Sequence, residues 1–210
     1  MTRLLIATTN PAKLAEYRLL LREFALEPIS LADVRIAETP EETGRTFAEN
    51  ALLKARFYFA RAGIPTLADD GGLEVDALGG EPGVMSHRWL GDRGGAGENS
   101  DRELAEMVIR RMEGVEEGRR TARLRAAIAL VWRLDGEHRE RVAEAAIEGV
   151  IAHRAYPQIR PGFPYRAVLY LPDRGKYLAE LGEEEEARVS QRREALRKLR
   201  SELSRIAAGH

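Results

Sequence analysis

A chain of 210 residues is long enough to bury one substantial core, in one domain or in one domain with two lobes. Its 44% hydrophobic and 32% charged residues form an ordinary globular mixture, with no apolar run near the roughly 18 residues of a membrane span, so a soluble protein is expected. A formal net charge of -1 offers no overall field to nucleic acid or to an anionic membrane, and the lack of cysteine removes disulfides, thiolate metal sites and thiol nucleophiles. Without an export signal in residues 1–9, the expected setting is cytoplasmic.

In chain order, residues 3–8 (RLLIAT) read as a buried strand that stops at a polar turn. Asn10 as N-cap and Pro11 at the first helical position then open a helix, with Leu14, Tyr17, Leu21 and Phe24 on one face. Residues 26–30 suit a second strand, and the acidic, proline-containing run 37–44 suits a loop. Thr46 to Glu49 has the capping-box pattern, and Phe47, Ala51, Ala55, Tyr58 and Ala62 form a helical stripe that Gly63 ends. Residues 65–68 and 73–75 read as strand fragments flanking a bend at Asp69-Asp70-Gly71-Gly72.

The glycine-rich run 91–97 suits a lid or a linker, and Ser100 caps a third helix to about residue 112. Residues 122–134 and 138–152 form a long hairpin about Asp135-Gly136, with helix as the competing reading of the alanine-rich parts. A short strand at 168–171 and one amphipathic helix from residue 183 onward complete the prediction.

Two features carry chemistry. The turn at Thr8, Thr9, Asn10, Pro11, Ala12 and Lys13 gathers hydroxyls, an amide, helix N-terminal N–H groups and an ammonium, as an anion site requires; an ordinary capped helix has the same signature. Glu41, Glu42, Glu49, Asp69 and Asp70 lie near predicted element ends, where oxygen ligands for Mg²⁺ stand beside substrate phosphates. Glu41 and Glu42 equally suit a solvated loop, whereas two adjacent carboxylates after an apolar strand call for a metal or a shifted pKa. The four histidines show no ligand spacing for zinc, and no nucleophile elbow is present. Mixed charge after residue 183 and 6% aromatic content argue against a nucleic-acid module.

The ordered blocks TTNPAK, TFAENALLKA, ADDGGLEVDALGGEPGVMSHR, PGFPY and VSQRREAL closely resemble the HAM1 family of inosine triphosphate pyrophosphatases, nearly end to end. The resemblance implies an α/β fold, an elongated mixed β-sheet with flanking helices forming two lobes around a central cleft, and a homodimer. It implies hydrolysis of non-standard purine triphosphates such as ITP, dITP and XTP to the monophosphate and pyrophosphate. By the same likeness Glu42 and Asp70 would bind Mg²⁺, Asp70 would activate water for attack at the α-phosphorus, and Asp69 would support the metal site. Thr8, Thr9, Asn10, Lys13, Asn50, Lys54, Gly71, Phe163, Pro164, Tyr165, Arg166, Glu186, Gln191 and Arg192 would contact the nucleoside triphosphate.

The departures cluster on the substrate side. Gly71 replaces the family's Ser, Arg166 its Asp, Glu186 its Lys and Gln191 its His. Arg166 and Glu186 would then be a swapped charge pair about the base, and Gln191 would read a base edge through a neutral amide. A nucleotide-binding relative with altered specificity or lost catalysis is the alternative function.

Overall fold

The computed structural model describes residues 1–90 and 98–209, with the backbone alone at residues 98 and 99. Run 91–97, read above as lid or linker, lies outside the described residues. The strands are β1 (Thr2–Ile6), β2 (Leu26–Ile29), β3 (Thr66–Val75), β4 (Thr121–Leu134), β5 (Glu137–Ile151), β6 (Leu169–Leu171) and β7 (Lys176–Tyr177). The helices are α1 (Pro11–Leu20), α2 (Phe47–Ala62), α3 (Glu98–Arg111), α4 (Glu183–Val189), α5 (Gln191–Lys198) and α6 (Arg200–Ala208). The strands form one seven-stranded mixed sheet in the order β2-β1-β3-β4-β5-β6-β7. β1 runs parallel to both β2 and β3, while β6 is antiparallel to β5 and β7.

The chain divides into two compact units, one of residues 1–70, 126–145 and 192–210, the other of residues 71–125 and 146–191. In the first, Leu4, Ile6, Tyr17, Leu67, Ile128 and Leu199 are core residues. In the second, Leu73, Val108, Ile147, Tyr165, Val168 and Leu169 are. Each core is the meeting of a strand's apolar face with a helix stripe, the dominant favourable term in folding. Among the described residues no helix is long and apolar enough to cross a membrane.

Local signals placed most elements. Asn10 caps α1, its Oδ1 accepting from the N–H groups of Ala12 and Lys13. Thr46 caps α2 by accepting from the Glu49 N–H, and Gly63 ends the helix in the left-handed conformation. Asp135 and Gly136 both have positive φ, as a two-residue hairpin turn between right-twisted strands demands.

Three expectations change, the first being that Ser100, read as the cap of the third helix, lies inside α3, which begins at Glu98. The bend at residues 69–72 is instead the middle of β3, a ten-residue strand buried along nearly its whole length. Gly72 serves close approach rather than turning: a Cβ there would stand 1.9 Å from the Ser86 hydroxyl, which accepts from the Leu73 N–H at 3.1 Å. The single C-terminal helix is three, because Ser190 leaves the helical region at ψ 119 and Leu199 makes the second break. β7, two residues long, carries too little periodicity to read from sequence.

Candidate active site

The chemistry of the first unit gathers at the end of its share of β3. Side chains alternate between the faces of a strand, so Asp69 and Asp70 leave β3 in opposite directions and meet different partners. Asp69 is almost wholly buried and receives Lys13 Nζ on Oδ1 at 3.2 Å and Arg192 Nε on Oδ2 at 2.9 Å. Arg192 also donates to Glu16 Oε2 at 3.2 Å. Burial alone would raise the Asp69 pKa, but the Lys13 and Arg192 charges overcome it and hold the carboxyl well below the usual range. Burial lowers Lys13 despite its carboxylate partner, whereas Asp69 and Glu16 outweigh burial at Arg192 and raise it. Beside this network the Tyr17 hydroxyl is buried near Asp69, and burial first, then the Asp69 charge, push its pKa well up.

Asp70 has a different balance. Lys54 Nζ lies 3.1 Å from Asp70 Oδ1 and 2.8 Å from Glu42 Oε1, so two carboxylates share one ammonium. Burial, reinforced by the Glu42 charge, raises the Asp70 pKa against the pull of Lys54 and Lys13. Lys54 itself stays raised, because Asp70 and Glu42 outweigh the burial that would lower it.

The second oxygen of Asp70 is fixed by Asn50, whose Nδ2 donates to Oδ2 at 3.2 Å. The Asn50 amide has one possible orientation, since its Oδ1 accepts from the Gly44 N–H at 2.8 Å. Asn50 thus ties the loop that carries Glu42 to the strand that carries Asp70. Gly44 makes this possible: a Cβ there would meet Asn50 Oδ1 at 2.6 Å.

The structure therefore brings Glu42, Asn50, Lys54, Asp69 and Asp70 together, with Lys13 and Arg192 behind Asp69. Thr8 and Asn10 serve their own turn, Thr8 Oγ1 accepting from the Asn10 N–H at 3.2 Å, so the capped-helix reading holds locally; the Thr9 side chain is exposed. Gly71 is buried inside β3.

The remaining expected residues belong to the second unit. Pro164 to Ala167 form a 3₁₀ turn in which Tyr165 donates to the Ser86 carbonyl and Arg166 lies 4.0 Å from the centre of the Phe163 ring. Arg166 forms an ion pair with Glu186, which also accepts from Arg160 at 2.9 Å, so the two exchanged charges are paired. Gln191, buried, begins α5. Glu16, Tyr17 and Gly44 carried no functional signal in the sequence, where Tyr17 read only as part of an apolar stripe and Gly44 as a loop end, because their roles exist only through partners far along the chain or through a steric fit.

Oxygen ligands at an anionic point suit a hard divalent cation. Among the described residues no group of three or more His, Asp or Glu stands ready to hold a metal alone. Mg²⁺ does not need one: it is commonly held by one or two carboxylates, with water and substrate phosphates completing its octahedron. Glu42 and Asp70 already converge on one cation, the Lys54 ammonium, and so fit that donor set.

Comparison with known proteins agrees over the full length. The model of the Ham1 family matches residues 4–202. A dITP/XTP pyrophosphatase of Geobacillus kaustophilus is 42% identical over 209 residues, covering 100% of this chain and 98% of that protein. One from Thermus thermophilus is 42% identical across 94% of this chain and 89% of its own. Among solved structures, a HAM1 protein from Coxiella burnetii superposes with a TM-score of 0.80 at 34% identity, covering 97% of this chain and 99% of that one.

Proposed function

The chain belongs to the Ham1 family, and on that premise we propose that it is a nucleoside triphosphate pyrophosphatase using Mg²⁺ to cut non-standard purine nucleotides such as ITP, dITP and XTP to the monophosphate and pyrophosphate. The observation that carries this reading is the convergence of Glu42 and Asp70 on a single ammonium, with Asn50 fixing their spacing. Mg²⁺ held there would neutralise charge on the phosphate oxygens. Asp70 is assigned as the general base that orients the attacking water toward the α-phosphorus. Asp69 acts behind it, anchoring Lys13 and Arg192. Thr8, Thr9, Asn10, Lys13 and Lys54 are assigned to the phosphates.

Phe163, Pro164, Tyr165, Arg166, Glu186 and Gln191 are assigned to the base, and the Arg166–Glu186 ion pair supports a swapped charge arrangement there; Arg192 is assigned to the substrate from its place beside Asp69. The working form is a homodimer in the cytoplasm, without nucleic-acid or membrane partners. The test is pyrophosphate release across standard and deaminated triphosphates, with and without Mg²⁺. ITP, dITP or XTP should be preferred over ATP and GTP, and the Arg166→Asp, Glu186→Lys double variant should alter that preference. Absence of release from every triphosphate would end the proposal.

A further inference from the structure

Lys54 stands where a metal and a lysine compete. Its ammonium lies 2.8 Å from Glu42 Oε1 and 3.1 Å from Asp70 Oδ1, while Asn50 holds the other Asp70 oxygen at 3.2 Å. A magnesium ion demands carboxylate oxygens at about 2.0–2.1 Å in a nearly rigid octahedron. An ammonium bonded to the same two carboxylates repels a dication and takes the point on which Glu42 Oε1 and Asp70 Oδ1 converge. A metal bound at that shared point displaces Lys54.

Leaving is not free for Lys54. Its side chain is only 13% exposed, so a displaced ammonium has little water to take the carboxylates' place and requires another anion. Lys13, also assigned to the phosphates, is paired with Asp69 at 3.2 Å and does not stand between Glu42 and Asp70 as Lys54 does. The anion that arrives with the metal is the phosphate chain of the substrate.

We propose that Lys54 is a placeholder for the divalent cation: it holds Glu42 and Asp70 together in the free protein and moves to the phosphate chain only when metal and triphosphate bind jointly. The inference rests on the metal-site reading above and adds a coupling to it. Free Mg²⁺ binds weakly because it must evict a largely buried ammonium from both of its carboxylate partners. A triphosphate gives that ammonium a partner, so each ligand strengthens the other, and by linkage the factor is the same in both directions.

Calorimetric titration reads this without turnover. Mg²⁺ is titrated into the wild-type protein and into Lys54→Met and Lys54→Gln, alone and with an α,β-methylene nucleoside triphosphate that cannot be cut at that bond. Thermal melts confirm that each variant is folded, and the glutamine variant serves if the methionine variant does not fold. The expected result is that removing the ammonium tightens Mg²⁺ binding in the absence of nucleotide at least tenfold and brings the mutual enhancement toward one. If a folded variant binds Mg²⁺ no tighter than wild type, while Glu42→Gln weakens binding to the wild-type protein, the placeholder falls and the metal site stands. If no protein binds Mg²⁺ with or without the analogue, both readings fall.

Discussion

Asp69 and Asp70 share a strand, a functional group and near-complete burial, yet Asp69 ends between two cations while Asp70 must share one ammonium with Glu42. With Glu16 included, the Asp69 network balances its charges internally, and its carboxyl is held well below the ordinary value. The Asp70 group keeps an excess negative charge, and its carboxyl is raised. Burial is therefore not what separates the two carboxylates, of which the proposed function makes Asp69 the support and Asp70 the reactive one. The number of cations per carboxylate decides, and the deficit marks where a metal ion would be welcome.

The sharpest way to break this contrast is Asp70→Asn. Under the proposed function, in which Asp70 is both base and metal ligand, it should lower pyrophosphate release about a thousandfold, while the melting temperature stays near that of the wild type. Activity within tenfold of wild type would place the reactive carboxylate elsewhere. Asp69→Asn should show the reverse emphasis. It strands Lys13 and Arg192 in the interior and should cost about 3 kcal/mol in urea denaturation, the scale of breaking a buried ion pair from one side. A cost below about 0.5 kcal/mol, typical of exposed pairs, would mean the network is not a support.

A smaller effect is expected at Gly44. An alanine Cβ would press on Asn50 Oδ1 at 2.6 Å, costing about 1–2 kcal/mol of overpacking and loosening the tie between the Glu42 loop and Asp70. Apparent Mg²⁺ affinity should weaken more than stability does; unchanged metal dependence in Gly44→Ala would remove Asn50 from the argument.

The smallest effect is in the pH dependence of stability, where the two carboxylates should slope in opposite senses. The folded pKa of Asp69 is depressed, so its contribution is complete above the ordinary carboxylate value of 3.8 and is lost as pH falls toward the folded value. The folded pKa of Asp70 is raised, so its ionisation subtracts stability as pH climbs above 3.8 through the folded value. In metal-free buffer, Asp69→Asn should flatten the acid limb, and Asp70→Asn should remove a fall in stability on the other side. Superimposable pH profiles for the two variants would contradict the separation.

Much of the frame was legible because it is written locally. Caps at Asn10 and Thr46, the stop at Gly63 and the Asp135-Gly136 turn are short-range signals, each satisfied within a few residues. Glycine misled where it served packing: Gly71 and Gly72 read as a bend, but both lie inside β3, and Gly72 leaves the room that Ser86 fills. The C-terminal helix pattern was likewise continuous in composition, and only the break at Ser190 starts α5 at Gln191, one residue before the Arg192 that reaches Asp69.

By itself the sequence determined the residue types the chemistry needs, the order of the motif blocks that align with the family, and the elements whose boundaries are set by neighbouring residues. Tertiary structure alone decided which carboxylate is neutralised. That outcome depends on Lys13, Lys54 and Arg192, one of them more than a hundred residues from Asp69 along the chain, arriving at opposite faces of one strand. A pair of adjacent aspartates carries no mark of its future partners, because an electrostatic environment is a sum over space rather than over sequence.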